Sequence, residues 1–259
     1  ASGAISGVTT LTLSDVGGTA TLSADVDVTT LTLASVGGTA TLSADVDVTT
    51  LTVDNTVANV AFTGNGSSVT NAVNFFNDGT LTLGGSNVIQ TFAGGFNTDS
   101  VGSTVTLEGT SIGNDDFTFG DLTLDNSATL SLAVGKILTF DDILTVGSNT
   151  LTVTADEINF TGGPNSVVGT GTLTLKPVST GQNMTVGASS DTGTGSIDII
   201  DSDIAAIKEG FSSIVLGTSN GTGSLTISSA SFKDAVVMQM PGSGASVTIN
   251  GQLDTLSST

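Results

Sequence analysis

The chain has 259 residues with 24 acidic and 4 basic side chains, a formal charge of -20. This excludes nucleic acid as a partner, because a phosphate backbone needs cationic neutralisation that such a surface lacks, and it disfavours anionic lipid for the same reason. Glycine at 34 residues, charged residues at 11% and an abundance of Thr, Ser, Val, Leu and Ile are the palette of β-strands joined by tight turns, and a mean hydropathy of +0.34 argues against disorder.

Ala1-Ser2-Gly3-Ala4 has neither a basic region nor an apolar core, so any export signal is expected to be removed or to lie outside this sequence. A repeat follows. Val8-Thr9-Thr10-Leu11-Thr12-Leu13 returns as Val28 to Leu33 and as Val48 to Val53, and the stretch Val16 to Val28 recurs unchanged from Val36 to Val48, an offset of about 20 residues. Ala20, Leu22, Ala24, Val26 and Val28 alternate with polar residues, which places them on one face of a long strand. Leu31 and Leu33 continue on the other parity, so a bend near Thr29-Thr30 must turn the chain if all are to share one interior. Val36-Gly37-Gly38 supplies the second corner, where glycine permits positive φ.

One such coil cannot bury its own apolar face, whereas coils stacked about 4.8 Å apart pair every strand edge and align Val on Val and Leu on Leu. The fold class expected is therefore all-β, a parallel β-helix (β-solenoid). An antiparallel meander is the alternative, but no Asn-Gly or Asp-Gly hairpin turn sits inside the repeat. Residues 1–54 read as regular coils, and residues 55–259 as degenerate coils with loops, continuous with the first part, through Leu81-Thr82-Leu83, Val105-Thr106-Leu107, Leu122-Thr123-Leu124, Leu151-Thr152-Val153 and Leu173-Thr174-Leu175. All 11 Phe fall between Phe62 and Phe232, which predicts an aromatic-packed middle after a slim Val/Leu/Ala start. Asp203 to Glu209, ended by Gly210, predicts one short turn of helix.

The stretch Gly171 to Pro177, Gln182 to Gly187, Ile197-Asp198, Ile204 to Glu209 and Gly210 to Gly217 resembles a module of large repetitive bacterial surface proteins, including haemagglutinin-like exoproteins. The earlier repeats resemble autotransporter-type β-helical passengers in style. The resemblance spans roughly residues 170–230 and implies a right-handed parallel β-helix, secretion, and a role in adhesion or surface structure. The absence of Cys fits either a reducing compartment or a secreted chain that crosses an outer membrane unfolded, and the acidic, Lys-poor, Thr- and Gly-rich composition favours an extracellular or cell-surface location.

No His, Cys, Tyr or Arg is present, so catalysis would rest on carboxylates, Lys or Ser. Asp115-Asp116, Asp141-Asp142 and the run Asp198, Asp201, Asp203 are the acid/base candidates, but adjacent Asp at strand ends reads as solvated turns, and no enzyme is expected. Asp25 and Asp27 alternate with Val26 and Val28 and so point outward. Asp45 and Asp47 repeat them one coil later, and the four carboxylates form a candidate calcium site, with a solvated acidic face as the alternative. Thr10, Thr12, Thr30, Thr32, Thr50 and Thr52 form outward ladders that suit either plain β-propensity or ice binding. The leading expectation is a structural or adhesive shaft that stacks end to end with itself or with further repeats of a longer chain. The competitor is an adhesin that binds surface glycans through loops around Asn71 to Asn77 or Phe92 to Asn97.

Overall fold

The structure is a computed structural model that describes residues 3–255. The chain is a β-solenoid, 54% strand with one short helix, whose parallel strands stack in turns of about 21 residues. Two compact units divide it, Ala1–Asn126 and Ser127–Thr259, the boundary falling within the strand Leu122–Leu132.

In the first unit a ladder of parallel strands runs from Thr10–Leu13 through Val26–Leu33, Val46–Val53, Ser68–Val69 and Leu81–Phe92 to Val105–Gly113. A second runs through Ala20–Leu22, Thr39–Leu42 and Asn59–Phe62, and a third through Val73–Asn74, Phe96–Asn97 and Phe117–Phe119. Register is like on like: Leu11 pairs Leu31 and Leu31 pairs Leu51, while Thr10, Thr30 and Thr50 form the adjacent column. The loss of sequence regularity after residue 54 leaves no gap in pairing, since Thr39–Leu42 passes directly to Asn59–Phe62 and Asp47 to Ser68.

Alternation holds as read from the repeat. Val26, Val28, Leu31 and Leu33 are buried, and the parity changes at Thr29-Thr30, where the paired register skips one residue. One local expectation is corrected. The long strand expected from Ala20 to Val28 breaks at Ser23–Asp25, because Ser and Asp satisfy their own backbone in turns and so open a further corner. The Gly-Gly corner does not use positive φ; Asp15 (φ 57) and Ser35 (φ 51) carry the left-handed conformation instead. Gly37 and Gly38 are required by close approach: a Cβ at Gly37 would lie 2.9 Å from the Gly17 carbonyl oxygen, and one at Gly38 would lie 2.8 Å from the Gly18 carbonyl carbon. At Gly17 and Gly18 themselves a Cβ would meet nothing within 4 Å.

Beyond Asn59 the core takes up phenylalanine. Phe62, Phe75, Phe92, Phe96, Phe117 and Phe119 are buried and meet mostly edge-on, with Phe96 stacked on Phe117 at a centroid distance of 4.1 Å. Edge contacts favour the ring quadrupoles, and each fully buried ring adds roughly 1.5–3 kcal/mol of apolar burial.

In the second unit, residues Ala128–Ser131 pair with Thr150–Thr154, followed by Thr172–Lys176, Ser213–Gly217 and Val236–Gln239. Ile137–Phe140 pairs with Glu157–Phe160 and stacks Phe140 on Phe160. A further sheet orders Ser196–Ile200, Asn183–Ala188, Ser224–Ile227 and Ser246–Ile249. The short helix is Asp201–Ala206, two residues earlier than the pattern predicts, because Asp203 serves as an acceptor at its start, taking the Ile200 N–H at 3.0 Å.

Candidate functional site

The four aspartates singled out as a calcium site lie on neighbouring coils of the first unit. Asp27 is the register partner of Asp47, and the Val26 N–H donates to the carbonyl of Asp45 at 2.8 Å, so the two coils superpose their acidic residues. Asp25, Asp27 and Asp47 are exposed, while Asp45 is half-buried over Gly66 and its Oδ1 is shut off from solvent without a hydrogen bond. Burial, followed by repulsion from Asp45, Asp27 and Asp25, raises the Asp47 carboxyl above its ordinary value. Beside it runs an open groove of about 460 Å³ whose lining includes Asp27, Asp47, Ser68, Thr29, Thr49 and Thr70. The arrangement can attract a cation, but its carboxylates do not converge tightly. Among the described residues, the one trio whose oxygens all approach within 4.8 Å of one another is elsewhere, at Glu157, Asp191 and Asp198.

That trio belongs to the second unit. Glu157 is fully buried because Ser196–Ile200 packs over the strand that carries it. Its Oε1 accepts the Ile158 N–H at 3.0 Å and its Oε2 the Asp198 N–H at 3.4 Å. Burial first, and then the nearby Asp191 and Asp198 carboxylates, push its carboxyl up to about 8, so it holds its proton at neutral pH. Asp198, 2% exposed, accepts from the Thr192 N–H at 2.8 Å and from the Thr192 hydroxyl. Asp203 accepts from Phe160 N–H and Ile200 N–H, each at 3.0 Å, and burial raises it to about 6. Asp203 and the exposed Asp191 line a cleft of about 430 Å³ with Phe160, Pro164 and Ser202.

A common chemistry underlies these groups. Backbone N–H groups that lie outside the strand ladder are accepted by buried carboxylates instead. Asp156 does this for Gly135 N–H at 2.7 Å, and Asp234 for Gly210 N–H and Phe211 N–H at 2.9 and 3.1 Å. Glu157, Asp156 and Asp234 were not among the sequence candidates. Asp156 shares the inward parity of Ile158 and Phe160, a legible signal. Glu157 sits on the outward parity and is buried only by a segment some 40 residues later in the chain.

The remaining candidates are scattered. Asp115 and Asp116 sit in the bend before Phe117, where the Asp116 N–H turns back on the Asp115 carboxylate. Asp141 accepts from the Thr161 hydroxyl, and Asp201 is exposed at the start of the helix. The segments proposed as adhesive loops contribute Phe75, Phe92 and Phe96 to the core and leave Phe76, at 44% exposure, facing out beside the in-register column Asn74, Asn97, Thr118. The Thr ladders are in register as expected from the repeat. No helix among the described residues is long and apolar enough to cross a membrane.

Two strands at the margins of the described residues complete the inventory. The strand Thr10–Leu13 has a described neighbour on one side, Val26–Leu33. Ser246–Ile249 pairs only with Ser224–Ile227 among the described residues, and its Val247 and Ile249 continue columns whose preceding members, Leu225 and Ile227, are fully buried. Val247 and Ile249 are 50% and 57% exposed. No protein-family model, no curated protein and no solved structure matches the chain.

Proposed function

We propose that the chain is a structural element of an extracellular or cell-surface fibre, sheath or matrix, a solenoid shaft that lengthens by stacking coil on coil with a second copy of itself. One observation carries this reading: the buried column members Leu225 and Ile227 continue in Val247 and Ile249, which are 50% and 57% exposed. Thr10-Leu11-Thr12-Leu13 and Ser246-Val247-Thr248-Ile249, which lie in different sheets, share the alternation of hydroxyl and aliphatic residues that the coils pair internally. Uncovered strand edges invite pairing with another chain, and a head-to-tail contact of this kind does not close on itself. The acidic, cysteine-free composition supports the extracellular placement.

Electron microscopy and sedimentation of the purified chain test the reading, with Gly18→Val as the control. Gly38 shows that a Cβ at this coil position points at the preceding coil, and at Gly18 that space is open, so the variant folds while its side chain blocks the edge. Rods that lengthen with concentration for the parent and stay short for Gly18→Val support stacking. A glycan-binding reading rests on the Asn74, Asn97, Thr118 column beside exposed Phe76, and retention on immobilised polysaccharide that Phe76→Ala abolishes would favour it instead.

A further inference from the structure

The inward column of Val26 and Val46 turns polar as it continues through the first unit. Its next members, Ser67, Gln90 and Ser111, are each no more than 1% exposed. Ser68 pairs with Asp47 on one side and Thr91 on the other, which carries the column from Val46 through Ser67 to Gln90, and Gln90 is the register partner of Ser111. Ser67 is satisfied: its hydroxyl donates to the Gly64 carbonyl and accepts the Val46 N–H, each at 3.1 Å. Gln90 is satisfied on one side only. Its Nε2 donates to the carbonyls of Phe62 at 2.7 Å and Gly64 at 3.3 Å, both on the preceding coil. These two acceptors fix the amide, since a flipped group would set oxygen against oxygen. Gln90 Oε1 and Ser111 Oγ are buried and have no hydrogen-bond partner among the described residues.

With Nε2 held against the preceding coil, the planar amide turns Oε1 the other way, toward the coil of Val105–Gly113 that carries Ser111. The two oxygens do not bond to each other, yet neighbouring strands are only about 4.8 Å apart, a gap that one water spans with a hydrogen bond to each side. An amide oxygen can only accept, and a hydroxyl both donates and accepts, so a small neutral donor and acceptor meets both needs. A metal ion is a poor fit, because calcium takes about 6–8 oxygen ligands, several of them charged, and these two belong to neutral groups. We infer that one resident water bridges Gln90 Oε1 and Ser111 Oγ inside the solenoid and pins the two coils in register. The pin falls where register is hardest to keep. Gly84 pairs with Glu108 and Ile89 with Thr110, so residues 85–88 of one coil bulge out against the single residue Gly109 of the other. Beyond that irregularity, alternation of period two tolerates a slip of two residues, whereas a buried polar bridge is satisfied in one register alone.

The experiment uses the full chain, isotopically labelled, and the variants Ser111→Ala and Ser67→Ala, each checked for fold by circular dichroism. In the parent, NMR should show cross-peaks of a long-lived water with the Ser111 β-protons and the Gln90 side-chain amide protons, and their absence overturns the site whatever the variants do. Ser67→Ala breaks two bonds made within the protein and sets the scale with a lowered melting midpoint. Ser111→Ala should lower the midpoint by about 2–4 °C, the shift of one lost hydrogen bond in a chain of this size, and weaken the water cross-peak at Gln90. A dry hydroxyl gives the opposite sign, because alanine then removes a buried group that bonds to nothing, and a raised midpoint overturns the bridge. Amide hydrogen exchange reads the register role. In Ser111→Ala, Thr110 to Gly113 should exchange faster while Val105 to Leu107, before the bulge, keep their rates; equal acceleration on both sides overturns the pin and leaves the water standing.

Discussion

Glutamate 157 makes the stability of the second unit depend on pH in an unusual direction. The folded carboxyl titrates at about 8 against an ordinary 4.5, so between those values the folded state binds more protons than the unfolded one. Stability therefore falls as pH rises through that window and levels off above it, the reverse of a salt-bridged carboxylate. At about 1.4 kcal/mol per pH unit the gap bounds the cost of ionising Glu157 in the fold at about 5 kcal/mol. Relaxation around the exposed Asp191 lowers the expected value to about 2–4 kcal/mol. Glu157→Gln keeps an acceptor for Ile158 N–H and removes the ionisation. Urea unfolding followed by circular dichroism should place the variant within about 1 kcal/mol of the parent at pH 5 and about 2–4 kcal/mol above it at pH 9. Asp203 titrates in the same sense and is half ionised near pH 6, so it contributes equally to parent and variant and their difference in slope isolates Glu157. An identical slope in parent and variant between pH 6.5 and 8.5 would refute the assignment.

Four further outcomes follow from the geometry. Gly38→Ala should destabilise by about 1–3 kcal/mol through overlap with Gly18, while Gly18→Ala, at the same place in an identical repeat, should change the melting midpoint little; equal losses would contradict the stacking order. Leu31→Ala, in a fully buried column, should cost about 3–5 kcal/mol in chemical denaturation and Leu11→Ala, half-buried at the edge, clearly less. Asp234→Asn leaves one backbone donor without its acceptor and should speed hydrogen exchange at Gly210 and Phe211 by about 1–3 kcal/mol of protection, with amides of the first unit unaffected. Calcium should raise the thermal midpoint no further than sodium of equal ionic strength, because the ladder of Asp25, Asp27, Asp45 and Asp47 does not gather three oxygens around one point; an excess shift lost in Asp27→Asn/Asp47→Asn would show that the ladder closes on the ion.

The repeat alone was enough for the architecture, because an alternation of period two with a parity change at Thr29-Thr30 and a recurrence of fixed length admits one economical solution, coils stacked in register. The columns Leu11, Leu31, Leu51 and Thr10, Thr30, Thr50 and the superposed Asp27 and Asp47 follow from that stacking without further information. The buried phenylalanines after Asn59 were equally legible as a change of core filling.

What the sequence could not disclose are the consequences of neighbours distant along the chain. Gly37 and Gly38 read as turn residues on local grounds, yet their requirement comes from the coil beneath them. Glu157 has an outward position by strand parity, and only the packing of Ser196–Ile200 over it turns a surface glutamate into a buried, protonated acceptor. Periodicity records which way a side chain points from its own strand. Whether that direction leads to water or to another segment is decided by the tertiary fold, which sets the cost of a Cβ at Gly38 through steric overlap and the proton on Glu157 through desolvation.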